Sequence, residues 1–457
     1  MTERLLPLLL LLGVAFASAV PPSQPNPVYD ASKYSSPSGN TKNGLLIDVN
    51  VPGSILPFQI MHLYGNATER GFAHGELLAP TIIDFVEKQL PQYYKEEISE
   101  LDLSGLPKWL QDLIKNAGKA ASGTIAKVAL GYILKTQRKY LESSKAYVFP
   151  EMEAIANGVC SKLPNSDTCK NGGVKHLVDT IEQVNMLPEL IRMQCSMMGA
   201  WGKSTAAGKL LQLRTLDFGG GPFGNHTMLV VSHPGGSEAT NSGNAFATVG
   251  FPAFVGAVTG FSEHIGLCEK VDDITPPKPK IKGSYNGQAD SFVIRDIIEF
   301  AQTKEHAISI AQNAHRTWPI WLGIGDYASQ EFNAMEYTQE VVNVYDDKNL
   351  PTATNQTYFE GVAYIDKHPQ PSPHADMPDL VKEYYGKMTA KNIVQNFPRL
   401  MESGDVHIAL YDFGEKQAYV AVGTTNSTGS FVRKAYSSPF IQFDMESLWG
   451  TQPPSTN

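Results

Sequence analysis

The stretch from Met193 to Gly224, M-Q-C-S-M-M-G-A-W-G-K-S-T-A-A-G-K-L-L-Q-L-R-T-L-D-F-G-G-G-P-F-G, restricts what this chain can fold into more than any other. Leu210 to Asp217 is apolar and β-compatible except for Gln212, Arg214 and Asp217. Ser204 to Gly208 reads as the tip of a hairpin. Pairing the runs on either side sets Cys195 at the start of one strand and Arg214 and Asp217 along its partner. A thiol, a guanidinium and a carboxylate then converge as a candidate catalytic constellation. Arg214 and Asp217 lie on opposite faces of a regular strand, because an odd separation inverts the face. A bulge or strand end at Thr215-Leu216 would bring both to one site, and a plain structural ion pair is the other use of these two charges.

The ends and totals narrow the setting. Met1 to Ala19 joins Glu3-Arg4 to an apolar run and a small-x-small site, Ala17-Ser18-Ala19, which reads as a secretory signal peptide. No later segment holds about 20 uninterrupted apolar residues, so a soluble, secreted or lysosomal mature protein is expected. N-x-[S/T] sequons begin at Asn66, Asn225, Asn355 and Asn426 and are candidate glycosylation sites in such a chain. A net charge of −9 gives nucleic acid no footprint. Cys160 and Cys169 bracket a polar loop and read as a disulfide in an oxidising compartment, which leaves Cys195 and Cys268 as thiols. A Cys195–Cys268 disulfide is the rival pairing. No paired-cysteine zinc pattern, H-E-x-x-H or phosphate loop occurs, so neither metal nor cofactor is implied.

Along the chain, Val20 to about Lys42 is rich in Pro, Ser and Asn and is expected to be a mobile terminus. Gly44 to Tyr64 suggests one or two strands. Leu77 to Leu141 is helical, with Leu106, Leu110, Leu113, Ile114, Ala117 and Ala121 at spacings of three and four and start signals at Ser104 and Pro107. Gly123 to Leu134 is nearly free of charge: an internal helix, or a surface for transient membrane contact. A further amphipathic helix from Lys175 to Met193 leads into Gln194-Cys195. Strands follow (T-M-L-V-V-S, A-F-A-T-V-G-F, F-V-G-A-V-T-G-F), then helix from Phe292 to Asn313 with Thr303 as a cap. A proline-rich loop from Pro369 to Met377 and a hairpin of His407-Ile-Ala-Leu-Tyr-Asp-Phe with Ala418-Tyr-Val-Ala-Val close the pattern. The class is α+β.

Cys-Ser at a strand head, a glycine turn and L-R-x-L-D-F resemble the nucleophile region of cysteine N-terminal-nucleophile (Ntn) hydrolases of the acid ceramidase and penicillin acyltransferase-like branch. E-R-G-F-A-H-G from Glu69, E-M-E-A-I-A-N-G from Glu151, G-P-F-G, H-P-G-G, V-G-F-P-A-F-V-G-A-V-T-G-F-S-E-H-I-G and F-V-I-R-D-I-I-E-F-A-Q-T extend the resemblance over roughly residues 65–90 and 140–445. It implies a four-layer αββα sandwich. It also implies a proenzyme: signal peptide 1–19, a largely helical α-subunit over 20–194, and a β-subunit over 195–457 that begins at the nucleophile. Cleavage before Cys195 would make an α/β heterodimer from one precursor, acting on a lipid or other N-acyl substrate.

The chemistry of that arrangement explains the absence of a neighbouring histidine. An isolated thiol titrates near 8.5, so it needs a base, and the freed α-amino group of Cys195 supplies one. The resemblance gives Arg214 the substrate carbonyl or headgroup and Asp217 the new amine. The family's oxyanion Asn, in motifs such as T-N-H or T-N-Y, has no counterpart in Tyr364-Ile-Asp-Lys-His-Pro. Asp366, Lys367 and His368 occupy that neighbourhood, so either a backbone N–H, or Lys367 or His368, takes the role, or activity is altered. Phospholipase B-type deacylation, acyl transfer and a catalytically inactive glycosylated binding protein are the alternatives to an amidohydrolase such as a ceramidase.

Overall fold

Alternation along the strands decides the architecture. In the Gln194–Ala200 strand Met197 turns one way and Met198 the other, and each finds a different apolar layer. The structure, a computed structural model, describes residues 24–97, 105–116, 122–190, 194–235, 243–271, 284–350, 357–367 and 376–455. The expected signal peptide, Ser104, Ala117, Ala121, Asn355 and His368 lie outside these residues.

Two sheets stack face to face. The smaller runs in the order Val28–Asp30, Phe440–Asp444, Gln417–Val422, His407–Asp412, Leu211–Asp217, Gln194–Ala200 and Val362–Ile365. The larger holds ten strands, with Ile265–Val271, Thr259–Ser262, Phe246–Gly250, Met228–Pro234 and Phe58–Gly65 adjacent at its centre. Met197, Ala409, Tyr411 and Val420 meet Leu229, Val249, Phe261 and Phe332 between the sheets. On the far side of the small sheet, Met198, Leu213 and Leu410 pack on the helices Met377–Tyr384 and Ala390–Met401. On the far side of the large sheet, Leu267, Ile324 and Met335 pack on Asp290–Phe300 and Lys304–Asn313. The layer order is αββα, as the resemblance implied.

The first part of the chain is woven into both sheets. The expectation of a mobile terminus over Val20–Lys42 is corrected: Val28–Asp30 pairs in parallel with Phe440–Gln442, and Ser35–Thr41 forms the outer strand beside Gly44–Val49. Its polar residues suit an exposed sheet edge, and Pro37 sits where the register shifts. Phe58–Gly65 then pairs in parallel with Met228–Pro234, across the expected cleavage point.

Asn66 and Glu69 form a reciprocal capping box that starts helix Ala67–Leu77. That helix presses on Val148–Lys162 at glycines: a Cβ on Gly71 would stand 2.3 Å from the Glu151 carbonyl oxygen, and one on Gly75 2.0 Å from that of Ile155. Close packing is therefore what these two glycines do. Ser122–Ser144 buries Ile125, Ala126, Ala129, Leu130 and Ile133, the internal-helix alternative for Gly123–Leu134. The helix expected to reach Met193 ends at Val184, where Asn185 caps it and Pro188, lacking an N–H, sits in a single turn over Leu187–Glu189. Thr303 caps its helix as expected, and Phe292–Asn313 divides there into two. The His407 and Ala418 runs pair as a hairpin, but Phe431–Arg433 and Phe440–Asp444 follow them. Among the described residues no helix is long and apolar enough to cross a membrane.

Candidate active site

Strand parity builds the site. Cys195 lies opposite Leu216 and Met197 opposite Arg214 in an unbroken antiparallel register, so Cys195, Leu216 and Arg214 share the face turned towards the larger sheet. His407 pairs with Leu216 from the other side and joins that face. Arg214, fully buried, donates from Nε to Thr259 Oγ1 (3.1 Å) and from Nη1 to the Thr215 carbonyl (2.6 Å). Its Nη2 reaches Glu269 Oε2 at 3.5 Å. Thr259 in turn lies 2.9 Å from His407 Nε2.

Low dielectric governs how these groups ionise. Burial pushes the Cys195 thiol up to about 11, against the opposing charge and hydrogen bond of Arg214. Burial likewise raises the Glu269 carboxyl to about 8, with Arg214 pulling it down. His407 is held neutral, well below the ordinary imidazole range, by burial and then by the Arg214 charge. In the uncut chain the nucleophile candidate is thus a protonated thiol beside a fixed cation.

Asp217 faces the other way. No bulge interrupts Leu211–Asp217, so the expected irregularity at Thr215-Leu216 is absent and the carboxylate points away from Arg214. It accepts from Lys367 Nζ (2.6 Å), Gly404 N (2.9 Å) and Ser403 Oγ (2.8 Å). Ser403 also contacts Thr215 Oγ1 at 2.6 Å and Ser196 Oγ at 3.1 Å. Asp217 is nonetheless the cross-strand partner of Gln194, directly beside the Gln194–Cys195 peptide. Lys367 holds Asp217 and the Glu402 carbonyl, and Asp366 accepts from Ser196 Oγ and Met377 N. Both side chains are thus engaged in the network around Asp217 and Ser196.

An apolar pocket opens against the thiol strand pair. Leu216, Phe218, Phe223, Phe251, Phe254 and Val258 line it, with Phe85 and Leu187, around a cavity of about 40 Å³. Cys195 packs in the same apolar cluster as Leu216, Phe223 and Val258. The Phe251–Phe254 loop is held from the first part of the chain. Asn185 brackets it, donating to the Ala253 carbonyl (2.8 Å) and accepting from Val255 N (2.8 Å), while His74 Nε2 accepts from Ala253 N (3.1 Å). These bonds hold Ala253 at φ +61°, in the left-handed region that alanine seldom adopts.

Cys160 and Cys169 are joined in a disulfide, whereas Cys195 and Cys268 are both free, so the rival pairing does not form. Cys268 Sγ accepts from Gln212 Nε2 at 3.4 Å, an interior contact between the sheets. Of the described sequons, Asn66 caps its helix, Asn225 bonds the Thr425 backbone at both ends of its amide, and Asn426 is exposed. Sequence reasoning missed Thr259, Glu269 and His407. The available signal was a charged or ionisable residue inside an apolar β-run, G-L-C-E-K-V and V-H-I-A-L.

Fold and site together define an αββα sandwich with a thiol, a guanidinium and a carboxyl between its sheets. No family model matches the chain. Protein dcd1B of Dictyostelium discoideum is 32% identical over 417 residues, 86% of this chain and 75% of that protein. Protein dcd1A of the same organism is 31% identical over 432 residues, 90% of this chain and 89% of that protein. The chain belongs to the dcd1 family. Similar solved structures include a Caenorhabditis elegans N-acylethanolamine-hydrolyzing acid amidase ortholog (TM-score 0.34, 16% identity, 48% of this chain, 93% of that one). Penicillin V acylase from Agrobacterium tumefaciens is another (TM-score 0.35, 12% identity, 57% of this chain, 89% of that one).

Proposed function

We propose that this protein is a secreted or lysosomal cysteine amidohydrolase, made as a proenzyme that cuts itself between Gln194 and Cys195 and then cleaves an N-acylated lipid of the ceramide class. One observation carries the reading. Leu216 is both the cross-strand partner of Cys195 and a wall of the aromatic pocket, which supports an acyl chain held there presenting its carbonyl to the thiol. After the cut, the free α-amine of Cys195 takes the thiol proton as Sγ bonds to the acyl carbon. The C–N bond then breaks, the amine leaves with that proton, and water resolves the thioester. Arg214, fixed by Thr259, Glu269 and the Thr215 carbonyl, holds positive charge beside the reacting atoms. Asp217, beside the severed peptide, receives the new ammonium.

The products stay together in this reading as an α/β heterodimer, because residues before the cut supply strands to both sheets. The decisive experiment is intact mass and N-terminal sequencing of the purified protein before and after incubation at about pH 5. A chain beginning Cys-Ser-Met-Met, together with a thioester trapped on it by an N-acyl probe, is the expected result. A chain that stays whole under all conditions removes the proposal.

A further inference from the structure

Apart from the aromatic pocket, a groove of about 300 Å³ joins the two parts of the chain, and none of the residues lining it carries a charge. Gln89, Gln92 and Tyr93 line it from before the expected cut. Gly221 and Asn225 line it from after the cut, together with the turn over residues 425–429 that links strands Thr424–Thr425 and Phe431–Arg433. Two glycines make this approach possible. Gly221 and Gly429 both hold positive φ, and a Cβ on Gly429 would stand 3.1 Å from the Gly221 Cα. A Cβ on Gly221 would meet the Tyr93 ring at 2.4 Å.

The lining decides the class of ligand. A phosphate or carboxylate finds no cation in it, a cation finds no carboxylate, and an acyl chain would desolvate its amide and hydroxyl groups. A neutral molecule rich in hydroxyl and amide groups, a sugar, suits such walls, and the volume is that of a small-molecule site. The groove also holds a point of attachment for one. Two sequon asparagines line it, Asn225 and Asn426. Asn225 spends both ends of its amide on the Thr425 backbone, Nδ2 donating to the carbonyl (2.9 Å) and Oδ1 accepting from N (2.9 Å). Asn426 is exposed, and its Oδ1 accepts from Thr428 N (3.0 Å), Thr428 Oγ1 (2.7 Å) and Ser430 N (3.0 Å). Its Nδ2, the atom that takes a sugar, makes no hydrogen bond among the described residues.

We propose that this groove is a carbohydrate site, filled by the first sugars of an N-linked glycan on Asn426. In the attachment step Nδ2 bonds the anomeric carbon of the first sugar and gives up one proton. The diphosphate of an activated, lipid-linked oligosaccharide leaves. The inference goes beyond the amidohydrolase reading and shares with it only the secretion of the chain. Because Asn426 follows the expected cut and Gln89, Gln92 and Tyr93 precede it, the seated sugars lie across the joint between the two parts.

The test uses the full chain secreted from eukaryotic cells, with the occupancy of each sequon read by peptide mass spectrometry. Asn426 is expected to carry a glycan. Asn426→Asp keeps the Oδ1 acceptor for Thr428 and Ser430 and takes no sugar, so it removes the glycan without undoing the turn. Hydrogen exchange over residues 85–94, remote in sequence from the glycan, should then be faster by about threefold or more than in the glycosylated wild type. Peptide N-glycosidase acting on native protein should release the glycan roughly fivefold faster from Gln92→Ala, which removes an exposed side chain of the groove wall, and equally fast from both once denatured. Equal exchange in Asn426→Asp and wild type would put the glycan in solvent and overturn the proposal. An empty Asn426 beside another occupied sequon overturns it alone. No sugar on any sequon removes the secretion reading with it. Neither readout needs self-cleavage, so an uncut chain counts against the amidohydrolase reading and leaves this one standing.

Discussion

The two faces of the Leu211–Asp217 strand hold similar numbers of polar groups and treat them differently. On the outer face Ser196, Thr215, Ser403, Asp217 and Lys367 close a network in which the Asp217 carboxylate meets a cation, a hydroxyl and a backbone N–H. On the face turned to the other sheet, the thiol and Glu269 are held far from their ordinary titration ranges and the buried Nδ1 of His407 has no protein partner among the described residues. A satisfied network fixes geometry; an unsatisfied one in low dielectric holds reactivity in reserve. In the proposed function the chemistry belongs to the inner face and the outer face is its scaffold, with Asp217 joining them at the strand end.

The most severe break is Cys195→Ala. Intact mass should show one uncut chain at every pH, and acyl release should fall at least a thousandfold, since nucleophile and base are lost in one substitution. The uncut variant should still fold, because the side chain it removes carries only part of an apolar cluster. The faces then separate by stability. Asp217→Ala leaves the Lys367 ammonium, 10% exposed, without its carboxylate and should cost about 3–5 kcal/mol in urea unfolding. Removing the guanidinium as Arg214→Gln should abolish turnover while costing less, because Glu269 can stay neutral when its cation is gone. Equal losses from the two would erase the distinction between scaffold and reactive face.

This division was only half legible in the sequence. Cys195, Arg214 and Asp217 stand within one hairpin, and parity alone put Arg214 and Asp217 on opposite faces. The strand obeyed that parity, and the bulge that would have united them did not form. Glu269, Thr259 and His407 come from strands far along the chain, and which strands lie next to the thiol depends on sheet order, which no local pattern encodes. The first strands were hidden for a different reason. Ser35–Thr41 is polar because it forms a sheet edge, and an exposed edge resembles a loop in composition. The aromatic pocket likewise draws on residues from Phe85 to Val258, brought together only by packing.

A smaller and more diagnostic effect is expected from Glu269, measured in the uncut Cys195→Ala background. Its carboxyl titrates near 8 in the folded chain, against about 4.5 when unfolded, so the native state keeps a proton that the unfolded state has released. Stability therefore falls as pH rises between those values, by up to about 1.4 kcal/mol per pH unit from this group, and is unaffected by it below both. Glu269→Gln should flatten that slope when urea midpoints are compared at pH 5, 6, 7 and 8. A slope unchanged by the substitution would mean that Arg214 keeps Glu269 ionised, and the inner face would then be an ordinary buried ion pair.

The gentlest probe is Ser403→Ala, which acts on the scaffold without touching a charge. Ser403 Oγ contacts Asp217, Thr215 and Ser196, and its loss leaves each with another partner: Asp217 keeps Lys367 and Gly404 N, Thr215 keeps Ser196 N, and Ser196 keeps Lys367 N. The cost should be about 1–2 kcal/mol, that of removing one buried, well-bonded hydroxyl. If the outer face only supports the strand, self-cleavage of this variant should proceed at nearly the wild-type rate once it is folded. If instead the rate falls tenfold with stability nearly intact, the orientation of Asp217 towards the severed peptide is set by Ser403, and the scaffold reaches into the chemistry through that hydroxyl.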